Sequence, residues 1–388
     1  LALSNELDLY NLENSYLGYL GKFSEPLFRP LGFDWKMSVA LETGLAAKEI
    51  VVSTLSILYG LGSDNNETSD SLVEKIKSAK TTAFSFELLP PLKGNGIDGV
   101  YRTIDALREF DPKYINITTH RSEMVFRETA QGLFERVAER HRPGTVAIAA
   151  AIQNKYKITV VPHIICSGFT KEETEYALID LQFLGITDLL LLRGDKAKHD
   201  REFVPTGHRY ATELQEQVNA FNKGLFLDGS EMKSLTPFSY GMACYPEKHE
   251  EAPNMDSELF YAKMKVDAGA EYLVTQMFFD NEKYFQFVGK CRAAGINVPI
   301  IPGIKPITFM NQLTVLPKIF KTDIPEAFAA ELRKCKTDTE AAEVGVEWCT
   351  AQARDLIAQG VPSIHFFVSR QGQMVSIKRC IRNSIEAL

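Results

Sequence analysis

The sequence predicts an α/β protein, a (β/α)8 TIM barrel with an unrelated, mainly helical extension at its N-terminus. Three observations predict it. Eight short, nearly continuous apolar runs follow one another between Ala83 and Val368, as strands covered on both faces should read. Helix signals stand between several of them, and about 310 residues remain for the whole set, the span such a barrel occupies. The chain has 388 residues, 45% apolar and 24% charged, so it can bury a sizeable core and is no disordered polymer. An open doubly wound sheet is the runner-up; it more often has fewer strands and binds its ligand at one switch point.

Taken in order, the chain opens at Leu1 with no signal-peptide pattern. Met37 to Tyr59 is mostly apolar and just long enough to span a bilayer. Glu42, Lys48 and Glu49 interrupt it, so a buried or amphipathic helix is an equal alternative to a membrane span. Gly62 to Ser71 is polar throughout and reads as a linker, with a domain boundary between about residues 62 and 80.

The eight expected strands are Ala83–Leu89, Tyr114–Thr118, Thr159–Cys166, Asp188–Leu192, Phe238–Tyr245, Glu271–Phe278, Pro299–Ile304 and Ser363–Val368. Between the third and fourth, Thr170 and Glu173 are spaced as a capping box, Ala177, Leu181 and Leu184 recur at helical spacing, and Gly185 stops the helix. Asp256 to Gly269 repeats that plan with Leu259, Ala262 and Val266 as its apolar stripe.

The net charge of −7 offers no nucleic-acid groove or polybasic membrane patch. Six scattered cysteines, none in a C-x-x-C pair, argue against a disulfide framework or structural zinc and for a reducing, cytoplasmic setting. Chemistry in such a barrel sits where strands end, because side chains there converge on one mouth. Glu87, flanked by apolar residues in FSFELLPP, is expected to keep its proton and act as a general acid, since burial disfavours the ionised form. A structural ion pair with a basic neighbour is the alternative. Asp195 ends the fourth strand in LLRGD, and its glycine lets backbone approach a ligand. His163 inside the third strand is by itself more often a satisfied core residue. His249, past the fifth strand, is better placed for a ligand. Gln276 is a polar amide on an apolar strand and needs partners. Gly94 to Gly99 matches G-x-G-x-x-G, but Pro90, Pro91, Leu92 and Lys93 separate it from the strand. It reads as a flexible loop, not a pyrophosphate turn.

Together the strand-end segments resemble the methylenetetrahydrofolate reductase family. FSFELLPP, VVPHIIC, LLRGD, CYPEKHEEA, KVDAGAEYLVTQMFFD and IIPGIKPI stand in the family's order from about residue 79 to the C-terminus. The resemblance implies a barrel that binds FAD and uses NADH or NADPH to reduce 5,10-methylenetetrahydrofolate to 5-methyltetrahydrofolate for methionine synthesis. It implies that Glu87 is the general acid. It implies FAD contacts from Thr118, Thr119, His163, Arg193, Gly194, Asp195, Tyr210, Ala211, Tyr245, His249, Ala252, Glu258 and Lys265. Asp195, Gln276 and Gln312 would meet the folate, with Arg370 at its glutamate tail. Tyr261, Met264 and Leu316 depart from residues some members carry. A homo-oligomer is also implied.

Residues 1–75 do not share that resemblance. PLGFDWKMSVALETGLAAKEIVVSTLSILYG looks like a transmembrane stretch of ferrous iron transport protein B. One excerpt cannot build a permeation path, so a chimeric junction near Glu74–Lys80 is the simpler account. The rival functions are a membrane transport component with a passenger barrel, and a non-flavin pterin enzyme.

Overall fold

The computed structural model describes residues 16–29, 32, 34–38, 72–79, 81–197, 200–234, 236–368 and 374–385. Most of the apolar stretch from Met37 to Tyr59, the polar linker before Leu72, and Arg370 lie outside the described residues. Among the described residues no helix is long and apolar enough to cross a membrane. The chain divides into two compact units, Leu1–Asp70 and Ser71–Leu388. The first contains helix α1 (Tyr16–Phe28).

The second unit opens with α2 (Leu72–Ser78), so the division falls inside the expected interval of about residues 62 to 80. Then come β1 (Ala83–Leu88), α3 (Asp98–Leu107), β2 (Tyr114–Ile117), β3 (Glu123–Glu128), β4 (Phe134–Glu139), α4 (Thr145–Tyr156) and β5 (Thr159–Ile165). Next are α5 (Lys171–Phe183), β6 (Asp188–Leu192), α6 (Ala211–Asn222), β7 (Ser239–Cys244), α7 (Met255–Asp267), β8 (Tyr272–Thr275) and α8 (Asn281–Ala293). The chain continues through β9 (Ile300–Ile301), β10 (Gly303–Ile304), α9 (Gln312–Phe320), α10 (Glu326–Lys334), α11 (Asp338–Ala358), β11 (Ser363–Val368) and α12 (Met374–Ile385).

The main sheet runs β10-β11-β1-β2-β5-β6-β7-β8-β9, and its neighbours pair in parallel. Its two edges, β9 and β10, are one segment broken at Pro302, which has no N–H to give. Ile300 and Ile301 pair with β8, Gly303 and Ile304 pair with β11, and the Pro302 carbonyl accepts from His365 N at 2.9 Å. The sheet therefore closes into a barrel of eight staves, each at an expected strand.

Register sorts the side chains. Phe84, Phe86 and Leu88 of β1 face the surrounding helices, packing with Val100, Ile104 and Leu107. Tyr114, Val161, Leu190, Tyr272, Val274 and Ile301 fill the lower barrel together with Leu72, Val73 and Ile76 of α2. Helix α2 is thus a plug in the amino-terminal end, where strand polar groups would otherwise meet water. Gly241 is required there: a Cβ would stand 2.2 Å from the Tyr272 ring.

The capping box forms as expected, with Glu173 N donating to Thr170 Oγ1 and Thr170 N to Glu173 Oε2. The apolar stripe of α5 is instead Thr174, Leu178 and Leu181, and Leu184 is exposed. Gly94–Ile97 forms the expected loop, with Gly94 at φ +86°, while Asp98 and Gly99 open α3. The antiparallel β3–β4 hairpin was not among the expected strands, and it leaves Phe126 and Phe134 exposed.

Candidate active site

Because all eight staves are parallel, their carboxyl ends share one rim. Glu87 on β1 and Asp195 just past β6 both stand on it. Glu87 pairs with Asn116 on one side and Phe367 on the other. Ser85 and His365 pair one layer below. These alternate residues point into the barrel, where Ser85 Oγ lies 2.9 Å from His365 Nδ1. Asn116 Nδ2 approaches the same nitrogen at 3.4 Å, which leaves His365 Nε2 directed toward Glu87.

The Glu87 side chain is 22% exposed, with His163 Nε2 and His365 Nε2 each 3.9 Å from its Oε2. Both distances exceed a hydrogen bond, and both ring nitrogens are buried without a hydrogen-bond partner. Lys305, one residue past β10 and 5% exposed, adds positive charge.

These neighbours correct the expectation that Glu87 is held protonated. Burial pushes its pKa up, but His365, His163 and Lys305 together bring it below the ordinary carboxylate value. His163 itself is driven down to about 4 by burial, against the pull of Glu87, so its ring is neutral at pH 7.

Several of the other expected residues follow the ends of the staves. Thr118 Oγ1 donates to Leu88 O at 3.3 Å, and Thr119 Oγ1 donates to the His163 carbonyl. Arg193 is fixed by Arg209 O at 3.1 Å and Glu251 at 2.5 Å, and lies 4.4 Å above the Phe203 ring. Gly194 has φ +76°, and a Cβ would stand 3.0 Å from Ser167 Cβ. The Asp195 carbonyl accepts from Ser167 Oγ, and burial, then Glu250, raises its carboxyl pKa. Tyr210 and Ala211 form the N-terminus of α6, which has no side-chain cap.

Tyr245 packs edge-on against His249 at 4.8 Å, and Ala252 is buried beside them. Glu258 Oε2 accepts His249 N at 3.1 Å, while its Oε1 is buried without a partner. Lys265, seven residues on along α7, donates to Ala243 O at 2.8 Å. Burial raises the Glu258 pKa and lowers that of Lys265, each opposed by the other's charge.

Three expectations shift. Gln276 lies one residue past β8 instead of inside a strand, with Oε1 accepting Met277 N at 2.9 Å. Gln312 Oε1 accepts Thr308 N and Phe309 N, so its carbonyl shapes the turn before α9. Leu316 is buried in the satellite cluster with Phe328 and Leu332. Tyr261 and Met264 are exposed on α7. Sequence reasoning passed over Ser85, Asn116, Lys305 and His365. The available signal was polar residues at alternate positions in otherwise apolar strands.

Fold and rim define a closed parallel barrel whose ligand site lies at the strands' carboxyl ends. A family model described as methylenetetrahydrofolate reductase matches residues 71–377, and the chain belongs to that family. The relative from Arabidopsis thaliana, methylenetetrahydrofolate reductase (NADH) 1, is 31% identical over 76% of this chain and 48% of its own length. The probable methylenetetrahydrofolate reductase (NADPH) of Caenorhabditis elegans is 29% identical over 80% of this chain and 43% of its length. The Escherichia coli 5,10-methylenetetrahydrofolate reductase is 28% identical over 75% of this chain and 87% of its length. The chain thus spans about half the length of the plant and nematode relatives. A solved Clostridium thermocellum protein, described as binding two copies of 5-methyl-5,6,7,8-tetrahydrofolic acid, superposes with TM-score 0.48 at 14% identity, covering 81% of this chain and 98% of its own. A second family model, described as nucleoside recognition, matches residues 9–92 and accompanies the transporter-like N-terminus.

Proposed function

We propose that the chain is a flavin-dependent reductase that converts 5,10-methylenetetrahydrofolate to 5-methyltetrahydrofolate with NADH or NADPH as reductant. The observation that carries this is one inward-facing carboxyl group, Glu87, on the barrel rim with His365 Nε2 3.9 Å away and Lys305 beside it. The names of the relatives supply the substrate class.

The residues present fit FAD on two points, the start of α6 and Glu258. Gly194 takes a positive φ of 76° that turns the backbone after β6 at the rim, where an added Cβ would crowd Ser167 and Ile165. The uncapped N-terminus of α6 at Tyr210 and Ala211 suits a pyrophosphate. Glu258 Oε1 is a buried acceptor awaiting a donor. Arg193, Tyr245, His249, Ala252 and Lys265 would complete the grip with Thr118, Thr119, His163 and Asp195. When bound, the flavin supplies the hydride that reduces the one-carbon unit.

The chain's own part is to bind, orient and handle one proton. Opening the five-membered ring needs a proton on the nitrogen that leaves the bridging carbon. Glu87 is ionised in the open site, but burial is already the largest single influence on it. Substrate seated on the rim removes the remaining water and drives the carboxyl toward its neutral form. Glu87, 22% exposed in the open site, takes that proton from water before the substrate covers it, and Ser85 holds the His365 ring with Nε2 toward the carboxyl. Asp195 and Gln276 flank the pterin.

The test separates the two half-reactions. Glu87→Gln is expected to keep bound flavin and its reduction by NADH, while transfer to the folate falls by about 10²–10⁴-fold. Undiminished transfer in that variant would remove Glu87 from the acid's role.

A further inference from the structure

Outside β1 the rim holds a second hollow, a cavity of about 570 Å³. It lies between the segment after β1 and the start of α3. Pro90, Pro91 and Val368 supply apolar wall, and Arg102 and Arg142 supply positive charge. Its size falls within the range of small-molecule sites.

Its place links it to Glu87. Glu87 points into the barrel, while Leu88, the next residue, lines this cavity. Val368 lines it too, directly after Phe367, the register partner of Glu87. A ligand reacting at Glu87 therefore needs only to cross the end of β1 to enter it. Arg142 donates to the Pro90 carbonyl, which fixes its guanidinium in the wall. Asp98 is the acidic group on the lining, and it is exposed. The two prolines stiffen the wall, which limits the ordering needed on binding.

We infer that this cavity takes an anionic arm of a substrate whose reacting end lies at Glu87. Two arginines against an apolar wall match a short chain ending in carboxylates or a phosphate. The inference rests on the reductase reading above, which offers two sources of such a group. One is the glutamyl tail of the folate, the other a phosphate of the pyridine nucleotide.

The experiment uses the full chain with its flavin. The double variant Arg102→Met/Arg142→Met and the separate variant Asn95→Trp, which would fill the mouth of the cavity from its lining loop, are assayed against the unaltered protein. KM is measured for methylenetetrahydrofolate as mono- and triglutamate, and for NADH and NADPH. Loss of one charge-assisted contact is expected to raise the KM of one substrate about tenfold with kcat nearly unchanged. A rise for folate, larger for the triglutamate, assigns the arm to the glutamyl tail; a rise for the nucleotides alone assigns it to a phosphate. Turnover with all KM values unchanged in both variants overturns the inference and leaves the reductase reading standing. No folate turnover by the unaltered protein overturns both. Should the arginine pair fail to fold, Asn95→Trp alone decides.

Discussion

At Glu87, burial and charge pull in opposite directions, and the neighbours decide the outcome. His365 lies 280 positions away in sequence from Ser85, the residue that holds it. The local string FSFELLPP therefore displays the apolar flanks but conceals the basic neighbours, and reading the string alone gives the shift of Glu87 the wrong direction. His163 provides a cleaner test of burial. Its folded value of about 4 lies below the ordinary 6.5, so the unfolded chain takes up a proton first as the pH falls. Its contribution to stability is complete above about pH 6.5 and is lost toward pH 4, on the order of 3 kcal/mol at most. Asp188, pushed up to about 6 by burial, slopes the other way and cancels when variants are compared. His163→Asn should therefore lose less unfolding midpoint than the unaltered protein between pH 6.5 and 4. Parallel curves would show that the ring titrates as freely folded as unfolded.

At the scale of elements, the eight staves were legible because each is buried on both faces and so reads as an unbroken apolar run. The β3–β4 hairpin was not, since its charged, outward residues carry no burial signal. Helix α2 was not legible for a different reason. It is seven residues long and follows a polar linker, so only its packing reveals Leu72, Val73 and Ile76 as the barrel's plug. Ile76→Ala should cost about 2–5 kcal/mol of stability in chemical denaturation, as for other large-to-small core changes. Removing residues 1–70 should leave the barrel's unfolding midpoint in place, whereas removal through residue 79 should lower it sharply. Equal midpoints for the two truncations would mean that the plug contributes nothing.

At the scale of the whole molecule, closure converts a sequence pattern into a site. Breaking the seventh stave at Pro302 lets one segment serve both sheet edges. That closure brings Lys305 and His365 round to Glu87 and sets Asp195 on the same rim. Motif order along the chain predicted which strands contribute to the rim. It could not predict which side chains meet across it, because that depends on stave register. The most direct measurement is the absorbance spectrum of the purified full chain, followed anaerobically. A bound flavin band that bleaches with NADH or NADPH and returns on adding 5,10-methylenetetrahydrofolate is the predicted result. A colourless protein that takes up no FAD, or a reduced flavin that the folate leaves unchanged, would contradict it.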